Sequence, residues 1–210
     1  MHQVTSSSSE LNTPRVSRAD AIARFVDAVI NLMDTKPISY ITVQEVATVA
    51  GLNHGYVFRY FGTRLDLFTA VTDELADRTF ALLSTEMSAR HHSNETRPVG
   101  DLSLIALGRV LSVKRMALIQ YLQTCGVPLT RFGAKSRETI ELISVQALKN
   151  HGLSSKMAHA QAFKISIMLW AQSALSESFG LTSEEVTELF FLTVDEVTNA
   201  KEQEHRLQWS

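Results

Sequence analysis

The sequence predicts an all-α protein: an N-terminal unit of three short helices, followed by a larger helical domain. Three observations carry this. About 45% of the 210 residues are apolar, with only nine Gly and four Pro to interrupt them. Apolar residues recur at three- and four-residue spacing, while strand-like alternation is scarce. Capping pairs three residues apart mark four helix starts: Ser17 with Asp20, Thr42 with Glu45, Thr63 with Asp66 and Thr182 with Glu185.

In chain order, residues 1–16 form a Ser-rich polar tail containing Pro14. It has too little apolar surface to offset the entropy of ordering, so disorder is expected. Arg15 and Arg18 are candidates for a basic arm reaching a minor groove, against the plainer reading of an inert tail. A first helix is expected over Ser17 to Asp34, with Ile22, Phe25, Val26, Val29 and Met33 on one face and Pro37 preventing continuation. Thr42 opens the second, with Ile41 and Val46 placed as a hydrophobic staple and Gly51 as its stop. Asn53 is a good N-cap for the third, which ends near Phe61-Gly62. Thr63 opens a longer helix to about Leu83, using Leu67, Phe68, Val71 and Leu75.

The polar stretch from Glu86 to Gly100 reads as a loop, and its His91-His92 pair as a solvated turn rather than a metal site. Helices are then expected over Asp101–Cys125, Lys135–Lys149 and Ser155–Phe179. A last one carries the stripe Val186, Leu189, Phe190, Thr193, Val194 and Val197. The expected organisation is a disordered tail (1–16), a three-helix domain with its linking helix (17–83) and a helical domain (84–204).

Composition excludes several classes. The N-terminus has no signal-peptide core. The densest apolar run, Ile165 to Ala171, is too short to span a bilayer, so a cytoplasmic location without membrane association is expected. The single Cys125 excludes an intrachain disulfide and a cysteine-cluster metal site, and reads as a small buried residue. No Gly-rich phosphate loop, metal-ligand helix motif or nucleophile elbow occurs, so neither an enzyme nor a cofactor is expected. Net charge is −2, and the first 75 residues hold six basic against eight acidic side chains. Bulk electrostatics therefore do not announce a nucleic-acid binder. Locally the balance differs: from Val46 to Leu65 there is no acid, while His54, Arg59 and Arg64 are present.

The unit from Thr42 to Phe61, which overlaps that acid-free run, has the build of a helix-turn-helix. Two short helices meet at Gly51, and small Ala47 permits close approach. Val46, Leu52, Val57 and Phe61 supply a shared core. The opposite face of the second helix shows Asn53, His54, Tyr56, Arg59 and Tyr60, a polar, aromatic and cationic surface suited to a major groove. Gly55 lets that helix lie close to a partner, at some cost in helix propensity.

The segments Thr42-Val-Gln-Glu-Val-Ala47, Ala50-Gly-Leu-Asn53 and Gly55-Tyr-Val-Phe-Arg-Tyr-Phe61-Gly-Thr-Arg64 resemble the TetR family of bacterial regulators. The resemblance covers about residues 18 to 75. It implies a ligand-responsive regulator, usually a repressor, binding a palindromic double-stranded DNA operator as a homodimer. Asn53, His54 and Tyr56 would face base edges or flanking phosphates; Thr42, Tyr60, Thr63 and Arg64 would contact the backbone; Phe58 and Phe61 would be core. The family often has lysine where Arg64 stands and a small hydroxyl residue where Tyr56 stands.

The resemblance also implies an effector domain whose last two helices pair with their symmetry mates. The stripes Phe163, Ile167, Met168, Ala171 and Leu189, Phe190, Val194, Val197 agree with that. Leu107, Leu111, Met116, Phe132, Ile143, Phe163, Met168 and Trp170 are candidates to line a pocket for a small lipophilic effector. The alternative is a helical dimeric interaction module, or a small-molecule-binding protein or enzyme, without DNA function; it leaves the tyrosine-bearing surface unexplained.

Overall fold

A computed structural model of the protein describes residues 16–92, 102–151 and 153–175, together with 180–182, 185, 188 and 189. Residues 1–15 of the expected tail, and Phe190, Val194 and Val197 of the expected last helix, lie outside the described residues. So do the side chains of Leu107, Ile143 and Trp170. The described chain is built from helices: α1 (Arg18–Leu32), α2 (Val43–Ala50), α3 (Gly55–Phe61), α4 (Arg64–His92), α5 (Leu102–Thr124), α6 (Gly133–His151) and α7 (Ser155–Leu175). Single 3-10 turns at Ile38–Tyr40 and Leu129–Phe132 precede α2 and α6.

The helix starts follow the local chemistry. Ser17 Oγ accepts the Asp20 N–H at 3.0 Å and caps α1. Thr42 and Glu45 form a reciprocal capping box on α2. Thr63 Oγ1 accepts the Asp66 N–H, while Asp66 accepts the Thr63 N–H, so the same device opens α4. Thr182 and Glu185 repeat it beyond α7. One boundary differs from expectation. Instead of stopping at about Leu83, α4 continues to His92, so His91 and His92 lie at a helix end rather than in a loop. Glu86, Met87, Ala89 and Arg90 are strong helix formers and sustain the helix past its last apolar anchor.

One core joins the N-terminal helices to the rest. Phe25, Val29, Ile41, Val46 and Val57 pack with Leu67, Phe68, Val71 and Leu75 of α4, and the cluster continues into Leu118, Leu122 and Phe132. Each fully buried side chain of this kind contributes about 1.5–3 kcal/mol relative to exposure. Helix α4 is the spine, packing on α1 and α3 on one side and on α5 and α6 on the other, with α7 against α5 and α6. Arg115, almost fully buried on α5, links these layers: Nε donates to the Thr72 carbonyl at 3.0 Å and Nη1 to Ser136 Oγ at 3.3 Å. Burial pushes its guanidinium below its ordinary pKa, and the bonds from Nε and Nη1 offset part of that desolvation.

Cys125 departs from expectation: it is exposed, not buried. It sits in the turn that ends α5, where Gly126 takes a φ of +90° and leads the chain off the helix.

Candidate nucleic-acid interface

Three short-range devices fix the helix-turn-helix. Val43, Val46, Ala47 and Ala50 bury one face of α2. At its end Gly51 adopts φ +65°, and the N–H of Leu52 returns to the Ala47 carbonyl at 3.0 Å. This left-handed stop is what glycine supplies without a Cβ penalty. The N-cap position of α3 is His54, which makes no side-chain cap; Asn53, one residue ahead of it, turns its Oδ1 to accept the Gly55 N–H at 2.8 Å. A Cβ on Gly55 would stand 3.1 Å from that oxygen, so glycine here leaves room for the Asn53 side chain.

Helix α3 is held by Val57, which is fully buried, and by half-buried Phe61, whose ring meets Phe25 edge-on at 6.2 Å. The remaining side chains project. Asn53, His54, Gly55, Tyr56 and Arg59 are exposed, as are Thr42 and Thr63; Tyr60 is half-buried. The rings of Tyr56 and Tyr60 stack, 5.5 Å between centroids and 7° from parallel. The guanidinium groups of Arg18 and Arg59 lie 5.8 and 5.9 Å from the Tyr60 ring, within reach of a cation–π attraction. Tyr56, Arg59 and Tyr60 thus share one surface with Arg18, which lies in the first turn of α1 rather than on a free arm. Thr42 and Thr63 hydroxyls both donate to their capping carboxylates.

Arg64 departs from the expected phosphate contact. Its guanidinium turns inward. Nε donates to the Ile41 carbonyl at 2.8 Å and Nη2 to those of Ile38 and Ser39 at 3.0 and 3.2 Å. Nη1 donates to Tyr121 Oη of α5 at 2.9 Å. The group also lies over the rings of Phe68 and Tyr121. A planar five-donor fork serves several acceptors at once, which an ammonium does not. Arg64 is therefore a clamp between the segment preceding α2, the start of α4 and α5.

Phe58 is the second departure. It is 51% exposed, not core. The physical reason is angular: one residue after buried Val57, the helix has turned about 100°. The signal was present in the spacing, which points Val57 and Phe61 inward and leaves Phe58 to the side.

Of the pocket candidates, Phe132 is buried, and Leu111 and Met116 pack against the common core. Phe163 is 56% exposed, which places it on the surface instead of in a pocket; Met168 is half-buried. Of the interface candidates on α7, Phe163 and Ile167 are both more than half exposed and Ala171 is half-buried; Leu189 is also exposed. Among the described residues, no helix is long and apolar enough to cross a membrane.

No family model matches the chain. It is similar to curated mycobacterial proteins: 27% identical over 149 residues to an HTH-type transcriptional repressor of Mycobacterium tuberculosis and to an HTH-type transcriptional regulator of Mycobacterium bovis. The match covers 70% of this chain and 71% of each relative. Among solved structures, a TetR-family transcriptional regulator of a Rhodococcus species superposes with a TM-score of 0.61 at 16% identity, over 86% of this chain and 99% of that one. A TetR-family regulator of Mesorhizobium loti gives 0.59 at 15% identity, over 89% and 96%. The chain contains a helix-turn-helix and has the fold of the TetR-family regulators.

Proposed function

We propose that this chain is a transcriptional regulator that binds a palindromic DNA operator as a homodimer, represses transcription from it, and is controlled by a small lipophilic effector taken up by residues 84–204. The observation that carries the reading is the exposed face of α3. Asn53, His54, Tyr56 and Arg59 project from a helix fixed on its other side by Val57. The sequence from Val46 to Leu65 holds no carboxylate to repel phosphate. Asn53, His54 and Tyr56 would meet base edges, with Gly55 permitting close approach; Arg59 and Tyr60 would hold the backbone, joined by Thr42 and Thr63 where their hydroxyls turn from the capping carboxylates to phosphate.

Two turns of helix read few base pairs. A homodimer doubles the contacts and matches half-sites about 34–36 Å apart. Phe163 and Ile167, one turn apart on α7, supply apolar surface for a second copy to cover. An effector acts only if it binds one spacing of the recognition helices better than the other.

The test is a mobility-shift titration on the DNA flanking its own gene across a salt series. Sequence-preferring binding that weakens linearly in log[salt] is expected; equal binding to every duplex at all salt concentrations defeats the reading. Mass spectrometry of molecules that co-purify with the chain tests the effector separately.

A further inference from the structure

We propose that Phe58 reads thymine, its ring covering the 5-methyl group of one thymine in the major groove of each half-site. This rests on the DNA-binding reading above and specifies part of its sequence preference.

Phe58 is 51% exposed on a seven-residue helix whose other projecting groups are polar or cationic. On one flank of α3, Tyr56 stacks on Tyr60, and Arg18 and Arg59 approach the Tyr60 ring. Phe58 lies on the other flank, and among the described residues no ring stacks on it and no cation lies over it. Gly55, one turn earlier on the same side, has no side chain to hold the ring off a surface. The acid-free run from Val46 to Leu65, with Arg59 adjacent, makes a polyanion the complementary partner.

A phenyl ring has no donor or acceptor, so it neither holds a phosphate nor reads a base by hydrogen bonding. In a groove it gains only by removing apolar surface from water. The apolar group that the major-groove edges present is the thymine 5-methyl. Covering it favours thymine over uracil and cytosine, which lack it.

The experiment selects binding sites for the full chain from random duplexes, then replaces each selected thymine by deoxyuridine, which keeps the hydrogen-bonding edge and removes the methyl. One symmetric thymine position is expected at which replacement in both half-sites weakens binding about fifteenfold, from about fourfold per methyl. Phe58→Ala, assayed at low salt where phosphate contacts keep it bound, is expected to bind the thymine and uracil duplexes equally. Phe58→Leu is expected to retain part of the preference.

Indifference of the wild type to every uracil overturns the proposal. So does an undiminished uracil penalty in Phe58→Ala, which assigns the methyl to another residue. Unchanged DNA binding by Phe58→Ala with altered self-association assigns the ring to a protein contact and overturns it too. Failure to select any site defeats the DNA-binding reading itself; a selected site insensitive to uracil defeats only the role of Phe58.

Discussion

Replacing Arg64 separates two roles that the same residue type can play. Arg64→Met keeps the aliphatic stem and removes the guanidinium. The structure then loses four hydrogen bonds, three of them to backbone carbonyls just ahead of α2, and two ring contacts. A hydrogen bond from a charged donor contributes about 1.5–3 kcal/mol net when well buried, and a cation over a ring about 0.5–1 kcal/mol at an exposed site. The group is only partly buried, and water replaces some of what is lost. The expected cost is therefore about 2–4 kcal/mol, in the range of mutations that break a packed polar network. For a chain of this size that lowers the thermal midpoint by about 4–16 °C. Arg64→Lys, one ammonium on a flexible stem, is expected to recover less than half. Thermal and urea unfolding read the stability, and a salt series on a bound duplex reads the phosphate contacts. If Arg64 instead grips phosphate, Arg64→Met leaves the midpoint unchanged and flattens the slope of log K against log[salt] by about 0.9 per protomer. That outcome would refute the clamp. Arg59→Ala is the control: its exposed side chain is expected to flatten the slope without moving the midpoint.

Other consequences are equally direct. Glu45 is held at a pKa of about 2, against an ordinary 4.5, first by the hydrogen bond from Lys36 and then by the Thr42 N–H and hydroxyl. A carboxylate depressed in the folded state contributes stability that is full above pH 4.5 and lost as pH falls toward 2. Lys36→Met is expected to raise the Glu45 pKa, seen by carboxyl-carbon NMR titration, and to remove part of that acid-side loss; an unmoved pKa would show that Lys36 does not set it. Gly62 adopts φ +91°, and a Cβ there would lie 3.3 Å from Asp66 Oδ2. Gly62→Ala is therefore expected to cost about 1–3 kcal/mol in urea unfolding, and a neutral result would mean the turn has another conformation open to it. Phe163→Glu with Ile167→Lys puts charge on two exposed apolar side chains of α7; sedimentation is expected to show a folded monomer, whereas an intact dimer would move the interface elsewhere.

The helix starts were legible because their causes are local. Ser17 and Asp20, Thr42 and Glu45, and Thr63 and Asp66 stand three residues apart, and the capping bonds span that same interval. Gly51 and the Asn53 side chain were legible for the same reason: a left-handed stop, and an amide oxygen that accepts the first N–H of the next helix, belong to single residues, although the cap position itself falls at His54. The end of α4 was not, because a helix that outruns its apolar stripe leaves no periodicity to count and is continued by propensity alone. Cys125 misled because residue type gives only an average burial, whereas exposure here is set by its place in the turn ending α5.

The site divides along the same line. The projecting set Asn53, His54, Tyr56 and Arg59 follows from one buried anchor, Val57, and the helical period. Applied without reference to a family pattern, that period also places Phe58 outside. Arg64 is different in kind. Its acceptors lie 23 to 26 residues back at Ile41, Ser39 and Ile38 and 57 residues ahead at Tyr121, and no spacing within the helix-turn-helix encodes them. An arginine at the mouth of a helix near a polyanion surface has a phosphate as its simplest partner. What diverts it is a row of backbone carbonyls, left outward by the 3-10 turn at Ile38–Tyr40, and a tyrosine delivered by α5. Such carbonyls need donors once partly buried. A cation that meets this need within its own chain has few donors left to offer DNA, so on the proposed DNA-binding reading the burden of phosphate contact would fall on Arg59 and the tyrosine hydroxyls beside it. The salt slope of Arg59→Ala set against that of Arg64→Met measures that division of labour directly.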